Sequence, residues 1–502
     1  MDIILQAAGL VANWNVLLSV IAASMFGLFV GAVPGLTATM ATAMLVPLTF
    51  FMEPVAAVGA MVACSAMAIF AGDVPGALLR MPGTPASAAY VEDLYRLTQK
   101  GKAELGLGAC VLFSALGGLF GSLVLIFAAP WLAEFAMKFS TQEYFWMALL
   151  GLTCAVFMGT ASPVKGLLSL FMGLTIASVG LNNPAGVPRL TFGSVEMLSG
   201  VDFIPVMIGI FAVSEVLRTV LNSGEGLAQT PQAVGNIFRN WGELLRTRWR
   251  QLVRGNITGT GVGILPGAGA DVAAYVSYAI SRRFSRTPEK YGTGHVEGVV
   301  EAASANNASL SSAWVPALVF GIPGDTITAI VIGVLYVKGM NPGPTLFLFN
   351  PQNIYAVFLI FILANLIMIP LGWGLIKFSK NILRISKAIL MPLILLFCIV
   401  GAFASNNAVY GVTIMLAFGV VGYLMMENDI PIAPLVLGIV IGPLLEDNMI
   451  STLLKYQGSL IDFVNRPIAF ALFVIYCLIW ISIIRSWIRP KRPAAEQAGV
   501  KS

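Results

Sequence analysis

Two short motifs, each a proline followed by glycine and then by small or hydroxylic residues, recur in the same order in the two halves of this 502-residue chain. Gly31-Ala-Val-Pro34-Gly35-Leu-Thr37-Ala-Thr39 matches Gly263-Ile-Leu-Pro266-Gly267-Ala-Gly269-Ala-Asp271. Further on, Val74-Pro75 and Pro82-Gly83-Thr84 match Val315-Pro316 and Pro323-Gly324-Asp325, with six residues between the prolines in both halves. A Pro-Gly pair inside an apolar segment removes a backbone donor and permits an irregular turn. In lipid the freed groups must be satisfied by protein, water or a bound ligand. Helix starts after such breaks direct unpaired N–H groups and partial positive charge at what lies ahead of them, which suits a carboxylate. Pro34, Gly35, Thr37, Thr39, Gly83, Thr84, Ser87, Gly267, Gly269, Gly324 and Thr326 are therefore candidate substrate-binding residues. Intramembrane acids beside unwound carbonyls suit a sodium ion or a proton, which singles out Asp73, Asp271 and Asp325, with sodium expected near the last two. A polar run before the second-half break, Glu301-Ala-Ala-Ser304-Ala-Asn306-Asn307, adds Glu301 to the cation set and Asn306 and Asn307 to the substrate set, because buried amides need partners.

Other chemistries find little to work with. The one histidine, His295, lies in the polar run Tyr291-Gly-Thr-Gly-His-Val-Glu297 and reads as an exposed loop residue. Cys64, Cys110, Cys154, Cys398 and Cys477 are far apart in apolar stretches and read as small buried hydrophobes. Neither a zinc site, a Ser-His-Asp triad nor a bis-histidine haem site can be assembled from these. A phosphate-binding Gly-x-x-x-x-Gly-Lys-Ser/Thr run is missing, so energy from ATP is not expected, nor is an enzyme or a cofactor beyond the coupling ion.

The elements that carry these motifs must lie in a membrane. Hydrophobic residues make up 58% of the chain and charged residues 11%, and mean hydropathy is +0.86, too apolar for any polar shell. Charge-free runs at 3–52, 105–133, 339–376 and 388–426 exceed the ~20 residues that span a bilayer core, so the longer ones are expected to be helical hairpins. Trp14 to Val33 is expected to be a retained helix, since no basic segment precedes it as in a signal peptide. Basic clusters at Arg218–Arg254, Arg282–Lys290, Lys377–Lys387 and Arg485–Lys501 are expected on the cytoplasmic side. Within the first, the aromatic and basic run Trp241 to Trp249 suits an interfacial helix. The mixed or acidic segments 129–143 and 445–466 fit the outer side.

Aligning the halves places the loop holding Glu134, Lys138 and Glu143 against the purely basic loop Lys377–Lys387, so equivalent loops face opposite sides. The fold class predicted is an all-α polytopic membrane protein of two inverted-topology repeats with broken or re-entrant helices and ~12 to 15 membrane segments. The divisions are a first repeat, 1–222, with its N-terminus outside; a basic cytoplasmic linker, 223–254; a second repeat, 255–450; an extra C-terminal helix, 451–484; and a basic cytoplasmic tail, 485–502. The expected mechanism is alternating access, a part bearing the breaks moving against a scaffold.

Taken together, these motifs resemble the large membrane subunit of the tripartite tricarboxylate transporters, the TctA family. The resemblance runs from about Trp14 to Ile484 and rests on Gly31-Ala-Val-Pro-Gly-Leu-Thr37, Met81-Pro-Gly-Thr-Pro85, Gly186-Val-Pro-Arg-Leu-Thr-Phe-Gly193, Leu265-Pro-Gly-Ala-Gly-Ala270, Ala305-Asn-Asn-Ala308 and Gly321-Ile-Pro-Gly-Asp-Thr-Ile-Thr-Ala329. It implies a multi-pass protein of the bacterial inner membrane that imports organic carboxylates on a sodium or proton gradient. It also implies two partners, a small TctB-like membrane subunit and a periplasmic TctC-like solute-binding protein. A membrane sensor or scaffold that binds carboxylate without moving it is the alternative. The chain departs from the family pattern at Phe70-Ala-Gly-Asp73, at Ala303 three residues before the Asn pair, and at Arg80, where Asn is common. Arg80 is accordingly expected to contact a substrate carboxylate, or to be neutralised by Asp73 when the site is empty.

Overall fold

The computed structural model describes residues 2–33, 35–158, 162–181, 186–221, 234–349, 351–382 and 387–488. Among them no strand occurs and the chain is helical throughout: α1 (Asp2–Val11), α2 (Trp14–Ala32), α3 (Ala38–Thr49), α4 (Pro54–Ala71), α5 (Asp73–Leu79), α6 (Val91–Gln99), α7 (Ala103–Ala136), α8 (Thr141–Met158), α9 (Pro163–Ala177), α10 (Phe203–Met207) and α11 (Ser214–Leu221), then α12 (Trp241–Gly263), α13 (Gly269–Phe284), α14 (Val296–Ser312), α15 (Trp314–Phe320), α16 (Thr326–Val337), α17 (Leu346–Phe349), α18 (Pro351–Ile382), α19 (Lys387–Asn406), α20 (Val409–Glu427), α21 (Ile432–Lys455) and α22 (Pro467–Ile488). A π-helical turn, Ile208–Val213, joins α10 to α11. Among the described residues, seven helical segments of 18 residues or more are apolar enough to cross a membrane, and five shorter apolar helices accompany them.

The chain divides into two compact units, one of residues 1–138 and 151–443, the other of residues 139–150 and 444–502. The smaller unit closes around Trp146, Phe463 and Ala469. In it Arg466 pairs with the buried Glu143 at 2.9 Å, and Thr452 donates to Thr141 at 2.9 Å. Two loops expected on the same side thus meet.

The repeat is visible in the larger unit as matched contacts. Gly27 and Gly31 of α2 stand seven and three residues before Pro34; Gly259 and Gly263 of α12 stand seven and three before Pro266. A Cβ at Gly27 or Gly31 would fall 2.9 or 2.8 Å from Cys64 Cα or Ala68 Cα on α4. At Gly259 or Gly263 it would fall 2.6 or 2.8 Å from Ala305 Cα or Ser309 Cα on α14. Cys64 precedes Pro75, and Ala305 precedes Pro316, by eleven residues, and Ala68 and Ser309 precede the same prolines by seven. With no side chain at these glycines the backbones approach closely, as apolar helices must when packing rather than water drives their association.

The breaks are matched as well. Pro75 and Pro316 do not end helices: each lies in the first turn of a short helix, α5 or α15, where no intrahelical N–H is required of it. The chain turns instead at Arg80 (φ 61°) and Gly321 (φ 68°), left-handed caps whose N–H groups donate to Gly76 O at 3.2 Å and Ala317 O at 3.1 Å. Long helices then cross between halves: α7 packs on α14 of the second half, and α18 on α4 of the first.

Three expectations are corrected. The run 339–376 is no hairpin; Met340-Asn-Pro-Gly-Pro344 holds its start irregular, and the short α17 and the single long helix α18 follow. The run 105–133 lies within one helix, α7. Trp241 to Trp249 is no separate interfacial helix but the first turns of α12. His295 is not an exposed loop residue: it precedes α14, is 17% exposed, and sits 3.3 Å from Glu297 and against the Tyr291 ring. Cys64, Cys110 and Cys398 are buried as expected, while Cys154 and Cys477 are half-buried. Parts of the linker (222–233) and of the tail (489–502) lie outside the described residues.

Candidate functional site

Three helix starts converge on one cavity of ≈ 270 Å³ in the larger unit. Thr37 to Met40 come from the first turn of α3, Ala270 and Asp271 from that of α13, and Asp325 to Ile327 from the start of α16. Thr84 and Pro85, from the turn after α5, complete the part contributed by the breaks. The halves touch here through equivalent residues. Thr39 and Asp271 each stand five residues after the Pro of a Pro-Gly pair; Thr39 Oγ1 lies 3.2 Å from Thr326 Oγ1, and Asp271 Oδ1 accepts from Ala86 N at 3.0 Å.

The starts differ in how they are capped. Thr37 Oγ1 accepts from Met40 N at 3.2 Å, so a neutral hydroxyl heads α3. Asp325 heads α16 in a capping box: its carboxylate accepts from Thr328 N at 2.7 Å while its own N–H donates to Thr328 Oγ1 at 2.9 Å. The corresponding turn of the first half is held by neutral groups, Thr84 N donating to Ser87 Oγ and Ser87 N to Thr84 Oγ1, both at 3.2 Å. Asp271 lies in the first turn of α13 and is exposed on the wall. Two of the three positive helix ends thus already carry a carboxylate; that of α3 does not.

Of the residues expected at the site, Thr37, Thr39, Thr84, Asp271, Asp325 and Thr326 line this cavity. Gly35 and Gly267 turn the chain just before it, in matched left-handed conformations (φ 93° and 80°). Gly269 leads into α13 against Asp325, and Gly324 accepts from Gly267 N at 2.8 Å, so both hold the breaks in place. Gly83 donates to Gly72 O at 3.0 Å and Ser87 braces Thr84, again as supports. Pro34 lies outside the described residues.

Asp73, Glu301, Asn306 and Asn307 are buried elsewhere. Asp73 accepts from Tyr90 OH at 2.7 Å. The Glu301 carboxylate is held by Arg254, whose Nε donates to it at 2.6 Å. Asp73 Oδ2, Asn306 Oδ1 and both side-chain polar atoms of Asn307 have no hydrogen-bond partner among the described residues. Arg80 corrects an expectation: Asp73 does not neutralise it. It is exposed, pairs with Glu92 at 2.9 Å, and lies over the Tyr95 ring. A left-handed cap favours Gly or Asn because a larger side chain strains there, and Gly321 fills the matching position in the other half. The Asn-to-Arg departure falls at a turn.

The other wall of the cavity went unrecognised in the sequence. Ile210, Phe211, Ser214, Glu215 and Arg218 line it from the π-helical turn and α11, with Met426 and Ile432 beside them. Arg218, a member of the basic cluster expected on the cytoplasmic side, lies near the end of the apolar segment Phe203–Leu221 and pairs with Glu215 at 3.3 Å. The signal available was a Glu and an Arg three residues apart inside a span, since intramembrane charges are costly and mark function.

The family model described as Tripartite tricarboxylate transporter TctA family matches residues 17–437. A relative from Agrobacterium vitis, described as the uncharacterized 52.8 kDa protein in the TAR-I ttuC' 3' region, is 31% identical over 472 residues, covering 93% of both chains. A second, described as an uncharacterized protein in the TAR-II ttuC' 3' region of the same organism, is 32% identical over 234 residues, 47% of this chain and 97% of its own. No solved structure matches. With broken helices matched in both halves, a shared cavity at their starts and a family match across most of its length, the chain belongs to the tripartite tricarboxylate transporter TctA family, a family of multi-pass membrane transporters.

Proposed function

We propose that this chain is the large transmembrane subunit of a binding-protein-dependent secondary transporter that imports organic carboxylates by alternating access, driven by a sodium or proton gradient. The observation that carries the reading is the uneven capping of the three helix starts around one cavity. The α3 start, headed by Thr37, offers N–H groups and positive potential to an anion. Asp271 and Asp325, with Thr39 and Thr326 lining the same cavity, offer anionic and hydroxyl oxygen to a hard cation. A substrate anion and a coupling cation placed side by side neutralise one another in a medium of low dielectric. Asp73, with one carboxylate oxygen unpartnered, is a second position for a proton; Glu301, engaged by Arg254, is less suited to that role. The halves act as inverted repeats, in keeping with their matched glycine contacts and exchanged long helices. A TctB-like small membrane subunit and a periplasmic TctC-like solute-binding protein complete the system in the bacterial inner membrane.

The test is uptake of labelled citrate and succinate into proteoliposomes containing this chain, the small subunit and the binding protein. Accumulation should require a sodium or proton gradient. Asp271→Asn and Asp325→Asn should abolish gradient-driven accumulation while leaving carboxylate exchange measurable. Substrate binding with no accumulation under any gradient would favour a sensor instead.

A further inference from the structure

Arg218 is the one cationic side chain that lines the cavity among the described residues, and it faces three carboxylates there: Glu215, Asp271 and Asp325. A wall so composed repels an incoming carboxylate unless something offsets it. Arg218 is itself only loosely engaged. A single Nη1 donor reaches Glu215 Oε2, at 3.3 Å, at the long end of hydrogen-bond range, whereas a guanidinium carries five N–H donors in a fork matched to a carboxylate. The two partners are unequally placed, the Arg218 side chain being 52% exposed and that of Glu215 14%. Arg218 is thus the more open of the two to a ligand. The pair follows directly on the π-helical turn Ile208–Val213, a distortion frequent at functional sites. Gly209 and Gly419 seat that turn tightly on α20, which fixes the position from which Arg218 reaches.

We propose that Arg218 determines anion binding in this site: it leaves Glu215 for a carboxylate group of the substrate, and does so once the coupling cation has loaded beside Asp271 and Asp325. This deepens the transport reading and rests on it. Cation binding reduces the cavity's negative charge, so the carboxylate enters a site where Arg218 and the α3 start are no longer opposed by two free acids. The cation must then lower the apparent KM for the anion.

The experiment is proteoliposome uptake of labelled citrate and succinate by the complete three-component system, with KM and kcat measured at several concentrations of the coupling cation. Wild type should show a KM that falls as the cation rises. Losing a charge-assisted fork contact raises KM about tenfold or more, so Arg218→Gln should do this with a smaller change in kcat; Arg218→Lys, with a point charge and no fork, should fall between. The double variant Glu215→Gln/Arg218→Gln removes both charges of the pair. Its protein yield and thermal midpoint should match wild type while its KM stays high. An unchanged KM in Arg218→Gln, or a double variant that regains wild-type KM, overturns the proposal and leaves Arg218 as a counter-ion to Glu215. Absence of carboxylate uptake by wild type under every gradient would instead overturn the transport reading on which the proposal rests.

Discussion

Gly259 offers a direct measure of how closely the helices of this chain are packed. It lies in α12, where an added Cβ would stand 2.6 Å from Ala305 Cα and closer still to the Ala305 carbonyl oxygen. Ordinary contact begins at 3.4 Å, so Gly259→Ala must push α12 and α14 apart by most of an ångström. The contacts recede along the whole interface, because both atoms met belong to backbone and cannot rotate away. Overpacking of this kind costs about 1–3 kcal/mol, and a backbone clash belongs at the upper end. Gly261, two residues along the same helix, has nothing within 4 Å of its added Cβ, so Gly261→Ala should be neutral or stabilise by up to ~1 kcal/mol through helix propensity alone. Thermal unfolding of the two purified variants in detergent supplies the comparison. Gly259→Ala should melt clearly below wild type and Gly261→Ala at or above it. Equal midpoints for the two variants would refute the matched close approach on which the repeat rests.

Arg80→Gly should hold or raise stability, since it relieves the left-handed strain of about 1–2 kcal/mol at the cap and forfeits only an exposed ion pair worth at most ~1 kcal/mol; an uptake KM raised tenfold would instead restore Arg80 to substrate binding. If the repeats are inverted, single cysteines replacing Glu53 and Arg286, exposed residues in corresponding loops, should react with a membrane-impermeant maleimide from opposite faces, and reaction from the same face rules the inversion out. Asp93 is fully buried and accepts from Gly294 N and His295 N at 2.8 Å and from Tyr278 OH at 2.7 Å, so Asp93→Ala should lose several kcal/mol and release the 285–295 loop to limited proteolysis. Unaltered cleavage there would show that the loop is held by other contacts.

Much of this was legible from residue type and spacing. Membrane residence follows from composition, and the duplication from Pro-Gly pairs whose matched positions the structure brings to comparable turns. Thr37, Thr39, Thr84, Asp271, Asp325 and Thr326 could be named because residues just after a break must lie at a helix start. What escaped depended on packing at long range. The Glu301–Arg254 pair joins residues 47 apart in sequence, and no local signal tells a buried acid awaiting a cation from one already held by an arginine. The place of Arg218 on the cavity wall was not legible, because a basic residue near the end of a span reads equally as a topology marker and as a lining group. The pairing of Arg80 with Asp73 failed for another reason: an unusual residue at a motif invites a partner among its neighbours in sequence, and the left-handed turn that sets its course is not legible there.

The exchange of long helices also bears on how the chain is made. The apolar face of α4, complete at Ala71, receives its partner α18 only from Pro351 onward, after α12 to α17 of the second half have been synthesised. Until then the first half sits in the bilayer with its polar turn and the face of α4 that α18 covers open to lipid and to other nascent segments. Each half is thus the other's finishing template, and the halves produced as separate polypeptides should be degraded when alone yet rescue each other when synthesised in the same cell.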